Sequence, residues 1–173
     1  MPVLHYTSTW NIEATINRHF RDILPTITRP SYLATMPTIV ENMPETTIVA
    51  PAFSFVHIPA GSRQLWHGNR VSDTEKGVKS LAIFEVSCWV SRKLSTSWNV
   101  QLRVMQGMVE YVYMTANDGL QVRDYAGSPT VAAHTPYLVR LQDLEWVATV
   151  PDANPDYERR RGLISYHWIH RSF

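Results

Sequence analysis

Tyr137-Leu-Val-Arg-Leu-Gln-Asp-Leu-Glu-Trp-Val-Ala-Thr-Val150, then Pro151-Asp-Ala-Asn-Pro-Asp-Tyr157, then a run from Arg160 to Ile169 that reads Arg-Arg-Gly-Leu-Ile-Ser-Tyr-His-Trp-Ile, is the stretch that decides the fold. Both flanking runs are rich in β-branched and aromatic residues, and the Pro/Asp/Asn segment between them is turn chemistry, so they read as a hairpin. Its arms are longer than the usual strand of about 5–6 residues. At roughly 3.3 Å per residue each arm reaches about 35–45 Å, enough to close a sheet and leave length for a neighbouring subunit. That points to assembly rather than catalysis. In the first arm Tyr137, Val139 and Leu141 alternate, and then Leu144, Trp146, Ala148 and Val150 do, so the phase slips at Gln142-Asp143. A one-residue slip turns every later side chain to the other face, and the pattern predicts a β-bulge there.

Upstream, residues 8–24 carry Ile12, Ile16, Phe20 and Leu24 at four-residue spacing with Ile23 beside them, the stripe of an amphipathic helix. Ser8 or Thr9 is placed to cap it, Glu13 to sit in its first turn, and Pro25 to stop it. Prolines at 25, 30, 37, 44 and 51 forbid a long helix over the next stretch and leave room for short extended pieces at 38–40 and 47–50. Ala52 to Ile58 alternates as a strand. Pro59 to Ser80 reads as a long polar loop and, at that length, as mobile or functional. Leu81 to Val90 is a second strand. A second helix spans about 95–114, with Trp98, Leu102, Met105, Met108 or Val109, and Val112 as its buried stripe. Gly107 inside it costs about 1 kcal/mol relative to alanine, which suggests close packing at that point. A short strand at 120–123 precedes the terminal hairpin. The order α, β, β, α, β, β, β predicts one α+β (α/β) domain over residues 1–173. It has a mixed or mainly antiparallel sheet, two helices packed on one face, a long C-terminal β-hairpin and a mobile loop at about 59–80.

Composition narrows the function. The chain is 45% hydrophobic, 11% aromatic and only 18% charged, with six Trp and eight Tyr, which suits surface buried against partners as well as a core. A net charge of +1 argues against a strongly basic nucleic-acid binder. A single cysteine, Cys88, excludes an internal disulfide framework, and its alternating surroundings from Phe84 to Val90 predict a buried, inert thiol. With no basic-then-apolar leader and no apolar run of about 20 residues, the expectation is a soluble chain made in a cytoplasm, with no membrane partner.

Constellations of catalytic type are poor. The sequence has no Gly-x-Ser-x-Gly elbow, no phosphate-binding loop and no dinucleotide fingerprint, so neither a catalytic residue nor a cofactor is expected. His167 and His170, three apart on a strand, point to opposite faces and make a poor metal pair, and no metal site is expected. Asp143 and Glu145 share a face if the bulge allows it, most simply as a solvated pair. Arg63, Arg70, Lys76 and Lys79 surround the apolar Leu65-Trp66 pair in the 59–80 segment, a composition that fits docking on a partner. Arg159, Arg160 and Arg161 enter the last strand. Alternation separates Arg160 from the other two, and Asp152, Asp156 and Glu158 are the ordinary pairing partners, with an acidic neighbour or passing nucleic acid as the alternative.

The amphipathic N-terminal helix, the polar loop before a strand-then-helix unit, and the closing hairpin that ends Arg159-Arg-Arg-Gly-Leu-Ile-Ser-Tyr-His-Trp-Ile169 together resemble the tail terminator (tail completion) proteins of tailed bacteriophages, over Trp10 to Ile169. The resemblance implies a small α/β protein without enzymatic activity. It implies a homohexameric ring on the head-proximal end of the tail tube, which stops tube growth and joins the neck, in a virion assembled in the host cytoplasm. The implied partners are other copies of the chain, the major tail tube protein and the neck connector. The tape-measure protein, the sheath of a contractile tail and DNA in the lumen complete the list. Three alternatives stand beside it: a neck or head-completion ring, a small enzyme using the histidines, and a nucleic-acid-binding module stacking bases on Trp66, Trp98 or the arginines.

Overall fold

A computed structural model describes residues 9–41, 49–70, 76–94, 96–116, 120–121, 138–147 and 155–171, with side chains given for most of them. In chain order the elements are α1 (Thr9–Ile23), a short 3-10 turn at Leu24–Thr26, β1 (Thr38–Glu41), β2 (Ala52–Arg70), β3 (Lys76–Ser91), α2 (Trp98–Met114), β4 (Leu120–Gln121), β5 (Leu138–Val147) and β6 (Tyr157–Arg171). The strands make one six-stranded sheet in the order β1-β2-β3-β6-β5-β4. β1 runs parallel to β2 and every other pair is antiparallel, so the sheet is mixed. The α+β single-domain expectation holds. Among the described residues no helix is long and apolar enough to cross a membrane.

Sequence periodicity explains the layers. On β3, Phe84, Val86, Cys88 and Val90 face one side and join a core with Phe53 and Phe55 of β2 and Ile164 and Tyr166 of β6. Both helices lay their stripes on that same face: Ile16 and Phe20 from α1, and Leu102, Met105, Met108, Val109 and Val112 from α2, with Leu24 just beyond α1. Phe20 packs on Phe55 with ring centroids 4.3 Å apart, and Phe84 meets Tyr166 edge to face at 5.4 Å. Each such side chain fully removed from water contributes about 1.5–3 kcal/mol. On the outer side of α1, Arg18 and Asp22 pair one turn apart at 3.0 Å. Glu13 falls beyond the first turn, so it is not the N-terminal anion that the sequence suggested. Ser97 stands at the N-cap of α2 without a capping hydrogen bond from its side chain.

The bulge read from the sequence is present: Leu141 pairs with Tyr166 and Asp143 with Ser165, leaving Gln142 as the extra residue. Two expectations are overturned. The first is the loop at 59–80. Residues 59–70 belong to β2 and 76–80 to β3, paired from Arg63↔Leu81 to Arg70↔Lys76, with only the tip at 71–75 outside the described residues. Pro59, which cannot donate to a ladder, lies where Pro59 to Ser62 stand against Ala82 alone, so the register shift absorbs it. The second concerns the surplus length of the last strand. β6 is interior, and β3 pairs with it without a break from Gly77↔Arg171 to Ser91↔Tyr157. β5 is its other neighbour, while the connection at 148–154 lies outside the described residues.

Gly162 is the glycine that packing requires. A Cβ there would meet Cε3 and Cζ3 of its cross-strand neighbour Trp146 and a methyl of Val86, all at 3.1 Å. The indole lies over the bare backbone and donates from Nε1 to Glu110 Oε1 at 2.8 Å. Gly162→Ala should cost about 1–3 kcal/mol in urea unfolding through overpacking. In a Trp146→Ala background the same change should cost much less, because the clash partner is gone.

Candidate functional site

The face of the sheet opposite the helices carries a polar cluster on β3 and β6. The alternation that buries Phe84, Val86, Cys88 and Val90 puts Glu85, Ser87 and Trp89 on this side. On β6 the same rule separates the three arginines. Arg159 stands opposite Trp89, Arg161 opposite Ser87, and Arg160 opposite Cys88 on the helix side. Arg160 donates to Gln106 of α2 at 2.7 Å. Arg161 donates to Glu85 Oε2 from Nε at 2.9 Å and from a terminal nitrogen. Arg159 donates from Nε to Ser87 Oγ at 2.9 Å and from a terminal nitrogen to Glu85 Oε1, while its guanidinium stacks 4.7 Å over the Trp89 ring. The Ser87 hydroxyl donates to Glu85 Oε1 at 3.0 Å, so it accepts from one arginine and donates to the shared carboxylate. Trp89 Nε1 donates to Ser54 Oγ on β2 at 3.0 Å, which carries the network across a third strand.

Sequence reasoning paired these arginines with Asp152, Asp156 or Glu158, and the structure corrects that. Asp156 takes Lys93 at 2.5 Å, and Glu158 takes Arg92, which also lies 5.5 Å over the Trp98 ring. Those contacts fasten the start of β6 to the end of β3 and the start of α2. Asp152 lies outside the described residues. The partner of Arg159 and Arg161 is Glu85, more than seventy residues upstream, and no sequence spacing reveals a cross-strand register of that separation.

Of the other residues singled out, Arg63, Trp66, Arg70, Lys76 and Lys79 occupy facing rows of the β2–β3 ribbon: Arg63↔Leu81, Trp66↔Lys79, Arg70↔Lys76. Leu65 sits in the register shift between Gln64 and Trp66. The contacts of these six side chains lie outside the described residues. They are brought onto one ribbon, well away from the Glu85 cluster. Asp143 and Glu145 do share the helix-free face, opposite Ser165 and Leu163, and both are exposed. Gly107, read as a close-packing point, has open space where its side chain would be. Cys88 is fully buried, and burial pushes its thiol well above the ordinary range against the pull of Arg160.

No protein-family model matches the chain, and no curated protein matches it. The residues themselves carry the functional reading.

Electrically the cluster is two guanidiniums on one carboxylate, all partly or fully withdrawn from water: the side chains are 12% exposed for Arg159, 36% for Arg161 and 8% for Glu85. Burial pushes the Glu85 carboxyl up, but the hydrogen bond from Arg161, the charge of Arg159, the Ser87 hydroxyl and the Arg161 charge outweigh it and hold the group below its ordinary value. This arrangement locks β3 to β6. It also neutralises one of the two positive charges and occupies donors of both guanidiniums that a phosphate would need.

Because the folded carboxyl titrates below the unfolded one, its contribution is present above the ordinary carboxylate range and is lost as pH falls through the lowered value. Glu85→Gln leaves two arginines without their anion and should cost about 3 kcal/mol at neutral pH. The gap to the parent should begin to narrow as pH falls below the ordinary carboxylate value and close only as pH passes the lowered value, where the folded parent itself takes up the proton. Denaturant unfolding at neutral pH and across that fall measures it. Equal stability at neutral pH would mean that the pair is solvated and ornamental.

Proposed function

We propose that this chain is a non-enzymatic virion protein of a tailed bacteriophage, a tail terminator whose copies close into a homohexameric ring at the head-proximal end of the tail tube. The observation that carries this reading is a sheet that outruns its helices. β3 has 16 residues and β2 has 19, lengths of about 50 and 60 Å, whereas α1 with 15 residues and α2 with 17 are only about 22–26 Å long. Helices of half the sheet's length leave a long, mostly polar ribbon with the Leu65-Trp66 pair beyond the second layer, for another body to meet.

A ring requires a heterologous contact, in which one patch of each copy meets a different patch of the next. The β2–β3 ribbon, with Arg63, Leu65, Trp66, Arg70, Lys76 and Lys79, is the projecting part suited to reach the tail tube or the neck connector. The helix-covered half provides the body of each subunit. The lumen would pass DNA, and the paired state of Arg159 and Arg161 fits a wall that lets it slide rather than one that grips phosphates.

Phage particles made without this protein should carry tails of abnormal length or tails unjoined to heads. Tails of normal length on infectious particles would contradict the proposal. Trp66→Ala separates docking from packing on the ribbon. A folded ring with unchanged Tm and weakened attachment to tails is expected, whereas a lowered Tm with attachment intact would make Trp66 a packing residue.

A further inference from the structure

Three of the six exposed large apolar residues among the described ones lie on one helix, and a fourth, Val49, lies apart from it in sequence. Val100, Tyr111 and Met114 on the outer side of α2 are 39, 55 and 58% exposed, and Leu94 and Tyr32, at 80 and 60%, flank its N-terminal end. Gln101 Nε2 holds the Tyr32 carbonyl there at 3.1 Å. Along α2 the exposed residues Val100, Gly107, Tyr111 and Met114 share one side at seven-four-three spacing, the kind of row by which one helix packs against another, while Val104 at its edge is half-buried against the core. The inward seam of Leu102, Met105, Val109 and Val112 is a separate stripe already used by the core.

Gly107 stands at the middle of the outward seam. Nothing lies within 4 Å of where its Cβ would be, so neither the core nor a turn accounts for a residue that disfavours an exposed helix interior. A second helix would account for it, because a bare backbone lets two helix axes approach closely. The flanking charges select the partner. Arg103 and Glu110 lie one heptad apart on the same flank of the seam, three or four residues to either side of Gly107. Arg103 has no ion-pair partner among the described residues, and Glu110 uses Oε1 for Gln106 and Trp146. Two copies of α2 laid antiparallel about Gly107 bring each Arg103 to the other copy's Glu110 twice over, whereas parallel pairing leaves both charges unmatched.

We propose that α2 pairs with α2 of a second copy of this chain, antiparallel and crossing at Gly107, with Tyr111 and Met114 of each copy packed against Val100 of the other. The contact is isologous, so it joins two free chains or two rings equally and does not depend on the ring.

Cysteine cross-linking of the full chain tests it, since a disulfide traps a contact too weak to survive dilution. Native Cys88 is buried and stays silent. Gly107→Cys under oxidised glutathione should form covalent dimers at least tenfold faster than Lys93→Cys, an exposed control off the seam. Adding Tyr111→Glu, a surface change that leaves Tm unaltered, should abolish that advantage. Arg103→Glu should slow dimer formation by setting like charges together, and Arg103→Glu with Glu110→Arg should restore it. Equal rates at 107 and 93, or a rate at 107 indifferent to Tyr111→Glu and to the charge reversal, would overturn the pairing and leave the hexameric reading to its own test.

Discussion

The two-residue period of β3 sets the rest of the molecule. From Phe84 to Val90 its even-numbered side chains enter the layer under the helices and its odd-numbered ones face the other way. Slide the strand by one residue and Glu85 enters the apolar layer while Phe84 and Val86 turn outward. An unpaired carboxylate in such a layer must either lose its charge or cost several kcal/mol, so the slipped sheet is disfavoured from both sides. The native register also aligns Ser87 with Arg161 and Trp89 with Arg159, which lets both arginines converge on Glu85. One alternation therefore selects the core and the charged clamp together.

What was legible in the sequence is what local periodicity controls. The stripe Ile16, Phe20, Leu24 and the stripe Leu102, Met105, Val109, Val112 are buried as their spacing requires. The phase slip at Gln142-Asp143 had one cheap structural remedy, and the sheet uses it. Splitting of Arg160 from Arg159 and Arg161 followed from the same period of two.

The rest was illegible for physical reasons. Residues 59–80 lack the hydrophobic alternation of a half-buried strand and contain Pro59 and Gly61, so they read as a loop. Their strand character comes from ladder pairing with neighbours, and β6 extends that pairing out to Arg171. Glu85 was readable as a charge on a strand face, but its partners were not, because register between distant strands is a property of the assembled sheet. Gly107 was read as a sign of packing inside the chain, and the helix presents it outward instead.

The longest strands exceed the helices twofold and leave a ribbon beyond the second layer, and the proposed ring would be the closed form of a contact made there. Two-dimensional class averages of the purified protein at micromolar concentration examine the claim with no phage genetics in between. Six-fold end-on views, with a native mass that is a multiple of six chains, are expected. Particles that remain single chains or isolated pairs, with no closed ring at any accessible concentration, would contradict it.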